Sequence, residues 1–320
     1  MKPIRLGVGS VLIAFVALGA GSSLLGQEGA LRYRWNKGDV LRYRVVQTTN
    51  AAMSGIPGMG EMNVTNTMTQ VQQFTTTDVA ADGAATLQVK FESLKMEMGT
   101  PMGTFVYDSA APPAQNPDQM VAQLAATIGG LVGESITLVM TPNGNIQKME
   151  GMARIMEKMQ KSTPAMGMPG LESLMTDDSM KGSFGQSFAH LPGKAVKTGE
   201  TWKHDLVMPN PFGTMNVATQ YSLKAVESTG GKELAQILST ATIKAVPGDK
   251  PPAMPMPMTI QFSDGTGDGE IFFDRRAGRT QRATFNTTLP MTMNMTAPDG
   301  STVNISALTK TTMTTELIEK

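Results

Sequence analysis

From Ala283 to Thr296 the chain alternates without interruption. Ala283, Phe285, Thr287, Leu289, Met291, Met293 and Met295 share one parity, and Thr284, Asn286, Thr288, Thr292, Asn294 and Thr296 share the other. Successive side chains of a strand point to opposite faces, so a period of two gives one apolar and one hydroxyl/amide face; a helix would scatter both around its axis. The run ends at "APDGS", where Pro298 sets φ and Gly300 can take a positive φ. Val303, Ile305, Ala307, Met313 and Leu317 then return in matching parity, so the spacing predicts an antiparallel pair of long strands.

The same grammar runs through most of the chain from Leu31 onward. Glycine-containing turns at "TPNGN" (141–145), "ESTGGKE" (227–233) and "DRRAGR" (274–279) separate alternating segments and predict hairpins. The middle differs. Asn116 and Pro117 suit a helix start, with Met120, Leu124, Ile128 and Leu131 on one face, and Met152, Ile155, Met156 and Met159 have the spacing of a second amphipathic helix. Less regular helical segments are expected over 170–189. The predicted fold class is α+β and predominantly antiparallel β: two duplicated curved sheets or half-barrels with a helical insert packed against them. The boundaries are a signal peptide at 1–27, a β unit at 28–110, a helical insert with a β-hairpin at 111–193 and a second β unit at 194–320, the two β units being able to form one composite domain. Duplication is read from two short alignments in preserved order, "GDVLRYRVV" (38–46) with "GETWKHDLV" (199–207) and "GEMNVT" (60–65) with "GTMNVA" (213–218).

The first residues place Lys2 and Arg5 before the apolar run "VLIAFVAL" and the small-residue segment "GAGSSLLGQ". That order is a secretory signal, and it predicts export to a periplasmic or extracellular location; an uncleaved anchor is the alternative and the one expected route to membrane contact. The chain has no cysteine, so no disulfide can reinforce an exported fold, and stability must come from the core. The 27 basic residues balance the 27 acidic ones and stacking aromatics are few, which argues against nucleic-acid binding.

Chemistry is sparse. The chain lacks a cysteine nucleophile, a G-x-S-x-G elbow and a phosphate-cradling loop, and its two histidines, His190 and His204, lie in separate segments. His190 reads as a helix-end imidazole and His204 as a surface or edge imidazole on a strand. "DGTGDGE" (264–270) imitates the start of a calcium loop, but its twelfth position is Arg275, a cation where a bidentate carboxylate is needed. A glycine-rich turn leading into the strand "EIFFD" is the preferred reading. No enzyme activity, cofactor or metal is therefore expected.

The 27 methionines remain. Thioethers suit Cu(I), and Met291, Met293 and Met295 with Met254, Met256 and Met258 are the best candidates for a soft-metal site. These same residues continue the parity of Phe285 and Leu289, or run on into Ile260 and Phe262, which places them on a core or cavity face. Methionine is unbranched and polarisable, so a face built from it adapts to ligands of varied shape. The expected site is a Met-rich cavity lined by Phe285, Leu289, Met291, Met293, Met295, Met254, Met256 and Met258. Its partner would be a lipid, a hydrophobic small molecule or an apolar segment of an envelope protein; the alternatives are a β-rich scaffold and a periplasmic Cu(I)-binding protein.

"RWNKGDVLRYRV", "TPNGNIQKMEGMARIMEKM" and "LPGKAVKTGETW" together resemble a family of uncharacterised secreted bacterial β-rich proteins. The likeness is an order of landmarks and carries no catalytic signature. More loosely, a sheet wrapped about helices is similar to the half-barrel of the lipoprotein-carrier superfamily, which implies a cavity for a hydrophobic ligand.

Overall fold

A computed structural model describes residues 30–56, 58, 60–100, 103–111, 129–162, 190–210, 212–248, 258–296 and 302–318, with residues 177, 181, 184, 185 and 188. Its strands are β1 (Val40–Ser54), β2 (Met62–Val79), β3 (Ala85–Thr100), β4 (Gly103–Asp108), β5 (Ser135–Met140), β6 (Ile146–Glu150), β7 (Thr201–Asn210), β8 (Gly213–Thr229), β9 (Lys232–Pro247), β10 (Met258–Phe262), β11 (Gly265–Asp274), β12 (Arg279–Thr296) and β13 (Thr302–Ile318). One helix, α1 (Met152–Ser162), follows β6 among the described residues. The fold is mostly antiparallel β, a single open curved sheet of 13 strands. The strand order is β6-β5-β3-β2-β1-β13-β12-β11-β9-β8-β7, with β4 beside β3 and β10 beside β12.

The order contains two runs that progress across the sheet in the same direction, of five and six strands. β1, β2, β3, β5 and β6 follow one another across the sheet, and β7, β8, β9, β11, β12 and β13 repeat that progression from the other edge. The sequence blocks that align open the equivalent strands, β1 with β7 and β2 with β8. The two β units are joined edge to edge, because β1 pairs with β13 from Arg42↔Ile318 to Ser54↔Ser306.

The alternating stretch of the sequence forms β12, and Met291↔Ala307, Met293↔Ile305 and Met295↔Val303 give the expected antiparallel register with β13. The connecting "APDGS" lies outside the described residues. Pro290 interrupts no ladder on β12: its carbonyl accepts from the Ser263 N–H at 2.9 Å, so its missing donor faces the break where β10 ends and β11 begins. The predicted hairpins at 141–145, 227–233 and 274–279 all form, and Gly230 and Gly231 take φ of 58° and 78° in the two-residue turn between β8 and β9. In α1, Met152 and Ile155 are fully buried, as the spacing predicts. The helix expected from Asn116 lies almost wholly outside the described residues, as does most of 170–189.

The strand ends nearest α1 hold the packed core. Leu87, Val89, Ile136, Leu138, Leu223, Ile237, Ile271 and Phe273 face inward there, and residues 30–36 cross the opening as a plug. That plug is held by backbone bonds from Leu31 N–H to the Lys194 carbonyl (3.1 Å), Tyr33 N–H to the Pro142 carbonyl (2.6 Å) and Arg34 N–H to the Gly278 carbonyl (3.0 Å). Gly278 must be glycine, since a Cβ there would lie 2.5 Å from Arg34 Cβ and φ is +64°. The Tyr33 ring sits edge-on to Phe273 (5.3 Å) and Phe188 (6.1 Å), and Phe74 joins Phe188 to Tyr43 at 5.8 and 5.5 Å. Tyr43 donates to the Thr280 carbonyl at 3.1 Å, and burial holds its phenol well above the ordinary range.

Candidate ligand cavity

Away from the plug the inward face is not filled. Gln47 of β1 and Leu206 of β7 stand on strands six places apart in the sheet order, yet they line one cavity of about 300 Å³. The sheet therefore curls far enough for its middle and one edge to enclose a common space.

The wall is built in rows, because residues paired in an antiparallel register point to the same side. A middle row runs through Thr311, Thr287, Gly267, Ala241, Thr219 and His204 on β13, β12, β11, β9, β8 and β7. Toward the packed end the next row is Met313, Phe285, Gly269, Ser239 and Tyr221. Toward the open end it is Thr309, Leu289, Gly265, Ile243, Val217 and Leu206. The polar row is thus flanked by two largely apolar ones.

β11 corrects the sequence reading of "DGTGDGE". The segment is no turn and no calcium loop: it is strand from Gly265 onward, with Thr266 and Asp268 on the opposite face from Gly265, Gly267 and Gly269. The Asp268 carboxylate accepts from the Asn286 amide at 2.8 Å, and that of Asp264 accepts from the Ala245 N–H at 3.2 Å. The glycines make room. A Cβ on Gly269 would lie 2.6 Å from Phe285 Cδ1, and one on Gly265 would lie 3.0 Å from Leu289 Cδ1. Bare backbone lets those two large side chains lie down across β11 while the cavity stays open above Gly267. Among the described residues, no group of three or more His, Cys, Asp and Glu side chains is placed to hold a metal.

The two histidines, separate in sequence, meet at the cavity rim. Their rings stack at 3.9 Å with planes 6° apart, and His190 Nδ1 lies 3.1 Å from Asn145 Oδ1. Trp202 Nε1–H donates to the His190 carbonyl at 2.7 Å and the indole stacks on Tyr221 at 5.6 Å. His204 is thus an edge-strand imidazole covered by the ring of His190. Burial first, then His204, push the His190 imidazole down to about 4; burial lowers His204 too, against the opposing effect of Asp205. Parallel rings send their nitrogen lone pairs side by side without convergence, an arrangement unsuited to holding one metal ion between them. A second cavity, of about 330 Å³, lies behind this stack between Ile146 of β6 and Leu206 and Val207 of β7, the two edges of the sheet.

Of the residues expected to line a ligand site, Phe285 and Leu289 stand on the cavity wall. Met291, Met293 and Met295 do not: they continue the same face beyond it, half-buried, opposite Ala307, Ile305 and Val303 and beside Phe262 and Ile260 of β10. Met258 is in register with Met295 on the backbone of β10, and Met254 and Met256 lie outside the described residues. The methionines that do reach the cavity are Met208, Met215 and Met313. The wall formed by β7 and β8 goes beyond the expected residues, although the alternation in "HDLVM" and "MNVATQY" carries the same signal as β12.

These features define a curved antiparallel sheet with a plugged end and an inward-facing cavity of ligand size. Residues 82–280 match a family of unknown function, DUF6263, and the chain belongs to that family. No curated protein sequence matches the chain. Among solved structures, one described as lipid–protein interactions in lipovitellin is similar with a TM-score of 0.43 at 10% identity, covering 89% of this chain and 26% of that one. The chain thus spans about a quarter of the lipovitellin chain's length. DynF of the dynemicin pathway of Micromonospora chersina aligns at TM-score 0.20 and 10% identity, over 98% and 92% of the two chains. A DUF1329 family protein from Desulfovibrio piger aligns at 0.13 and 8%, over 86% and 85%. No helix among the described residues is long and apolar enough to cross a membrane.

Proposed function

We propose that this chain is an exported, non-enzymatic binding protein that holds a hydrophobic small molecule or lipid chain in the cavity of its curved sheet. The observation that carries the reading is the unfilled space of about 300 Å³ against Leu206, Met208, Val217, Phe285, Leu289 and Met313, in a molecule whose other end is closely packed. Ligand pockets begin at about that volume and combine apolar walls with a few placed polar groups. Methionine on three of the strands lets the wall follow ligands of different shape. Export is supported by the basic, apolar and small-residue order of the first residues.

The test is filling the cavity. Val217→Trp places an indole in the space opposite Leu206, and the variant should lose about tenfold or more in affinity for Nile red, an uncharged hydrophobic dye, while its thermal unfolding stays cooperative. Native mass spectrometry of the unaltered protein should show a copurifying apolar ligand. A protein that is ligand-free and does not bind the dye would instead be a β-rich scaffold.

A further inference from the structure

The charge of the cavity wall is as informative as its shape. Among the described residues its lining includes no lysine or arginine, and the ionisable side chains on its inward rows are His204 and Tyr221; Asp268 borders it from β11 with its side chain on the opposite face. His204 and Tyr221 are both shifted by burial toward their neutral forms. The Asp268 carboxylate is engaged by Asn286. The inward rows therefore carry no formal charge.

Against this stands a row of neutral hydrogen-bonding groups. Thr311, Thr287 and Thr219 lie on the line that crosses the cavity. Thr311 Oγ1 is 3.1 Å from Thr49 Oγ1, whereas the buried Oγ1 of Thr309, on the adjoining row, has no hydrogen-bond partner. A buried hydroxyl without a partner is a cost that a ligand group can remove. An ion of either sign placed here would meet hydroxyl groups but no counter-charge; a buried ion needs both pairing and hydrogen bonds. A hydroxyl or carbonyl needs only the hydrogen bonds.

We propose that the cavity selects uncharged amphiphiles, long-chain molecules whose polar group is a hydroxyl or carbonyl, over fatty carboxylates and phosphate-bearing lipids. The polar group sits at the threonine row and the hydrocarbon lies along the apolar rows beside it. This inference rests on the cavity being a ligand site.

Displacement of Nile red from the purified full-length chain at neutral pH tests it, with dodecanol, dodecanoate and dodecyltrimethylammonium as competitors of equal chain length. Dodecanol should bind about tenfold or more tighter than either ion. Thr309→Val keeps the side-chain shape and removes the hydroxyl; it should weaken dodecanol about three- to tenfold more than it weakens Nile red, which brings no hydroxyl to that position. Thr311→Lys supplies the missing counter-charge and should shift the preference toward dodecanoate. Equal or tighter binding of dodecanoate or the ammonium by the unaltered protein would overturn the selectivity while leaving the cavity a ligand site. Failure of dye and all three competitors to bind would overturn both readings.

Discussion

The two ends of this sheet use the same strands for different purposes. On β12, Ala283 is 2% exposed and packs in the core, whereas Leu289, Met291 and Met293, further along the same face, are only half-buried. On β9 the fully buried Ala235 and Ile237 give way to Ala241 and Ile243 at the cavity. The plug accounts for the contrast: Leu31, Tyr33 and Trp35 cover the inward face at one end, joined by Phe184 and Phe188. A long strand can thus be core at one end and wall at the other without any change of pattern. What changes is whether another segment lies over it.

This difference is open to measurement, and the largest effect should fall at the packed end. Phe273→Ala removes a fully buried ring that meets Tyr33 edge-on at 5.3 Å, and should cost about 3–5 kcal/mol in denaturant unfolding. Leu289→Ala, on the cavity wall, should cost only about 1 kcal/mol, because a side chain already facing open space leaves little new cavity behind. Equal losses at the two sites would mean that the cavity is closed by packing in solution and that the contrast between the ends is false.

How far this division is legible in the sequence depends on which side chains report it. The alternation of β12 and β13, three of the hairpins and the buried stripe of α1 follow from local spacing, and all appear as read. The joining of the halves through β1 and β13 does not, since Arg42↔Ile318 brings together residues from opposite ends of the chain and nothing local specifies that pairing. β11 is hidden for a different reason. Its inward positions 265, 267 and 269 are all glycine, so the apolar half of the alternation is missing and a strand reads as a turn. The space that should have carried the signal is occupied by Phe285 and Leu289 from the neighbouring strand. Parity likewise places the methionines on the inward face but cannot say where the plug ends, and so cannot tell cavity wall from the face beyond it.

A smaller effect is expected at the seam between the sheet edges, where His190 and His204 stack. Both imidazoles have lowered pKa values in the folded chain, from burial chiefly and, for His190, from its partner ring. The unfolded chain therefore binds protons first as pH falls. The stability this pair leaves intact is present above about 6.5, the ordinary histidine value, and is lost progressively as pH falls toward about 4 at His190. Asp205 offsets part of the cost at His204. Both rings are only partly buried, so solvent screening reduces the loss to about 1 kcal/mol. His204→Phe keeps a ring against His190 and should flatten the acid side of a plot of melting temperature against pH; an unchanged slope would place the acid sensitivity elsewhere.

The smallest effect should come from the residues that look most chemical in the sequence. Met291, Met293 and Met295 lie in register with Ala307, Ile305 and Val303 on one side, and two of them face Phe262 and Ile260 on the other. Met291 and Met293 thus have hydrocarbon neighbours across both ladders and Met295 across that with β13, and same-side residues along a strand are about 7 Å apart, so convergence on one ion would require the side chains to leave those neighbours. Replacing all three by leucine is a volume-conserving change at half-buried positions and should alter stability by less than about 1 kcal/mol. Nile red affinity should hardly move, because the substitutions lie beyond the cavity wall. Cu(I) titration under reducing conditions is the decisive comparison. If the unaltered chain binds Cu(I) and the triple variant does not, the open end is a metal site; if the two chains behave alike, its methionines serve as flexible hydrocarbon that continues the inner face past the cavity.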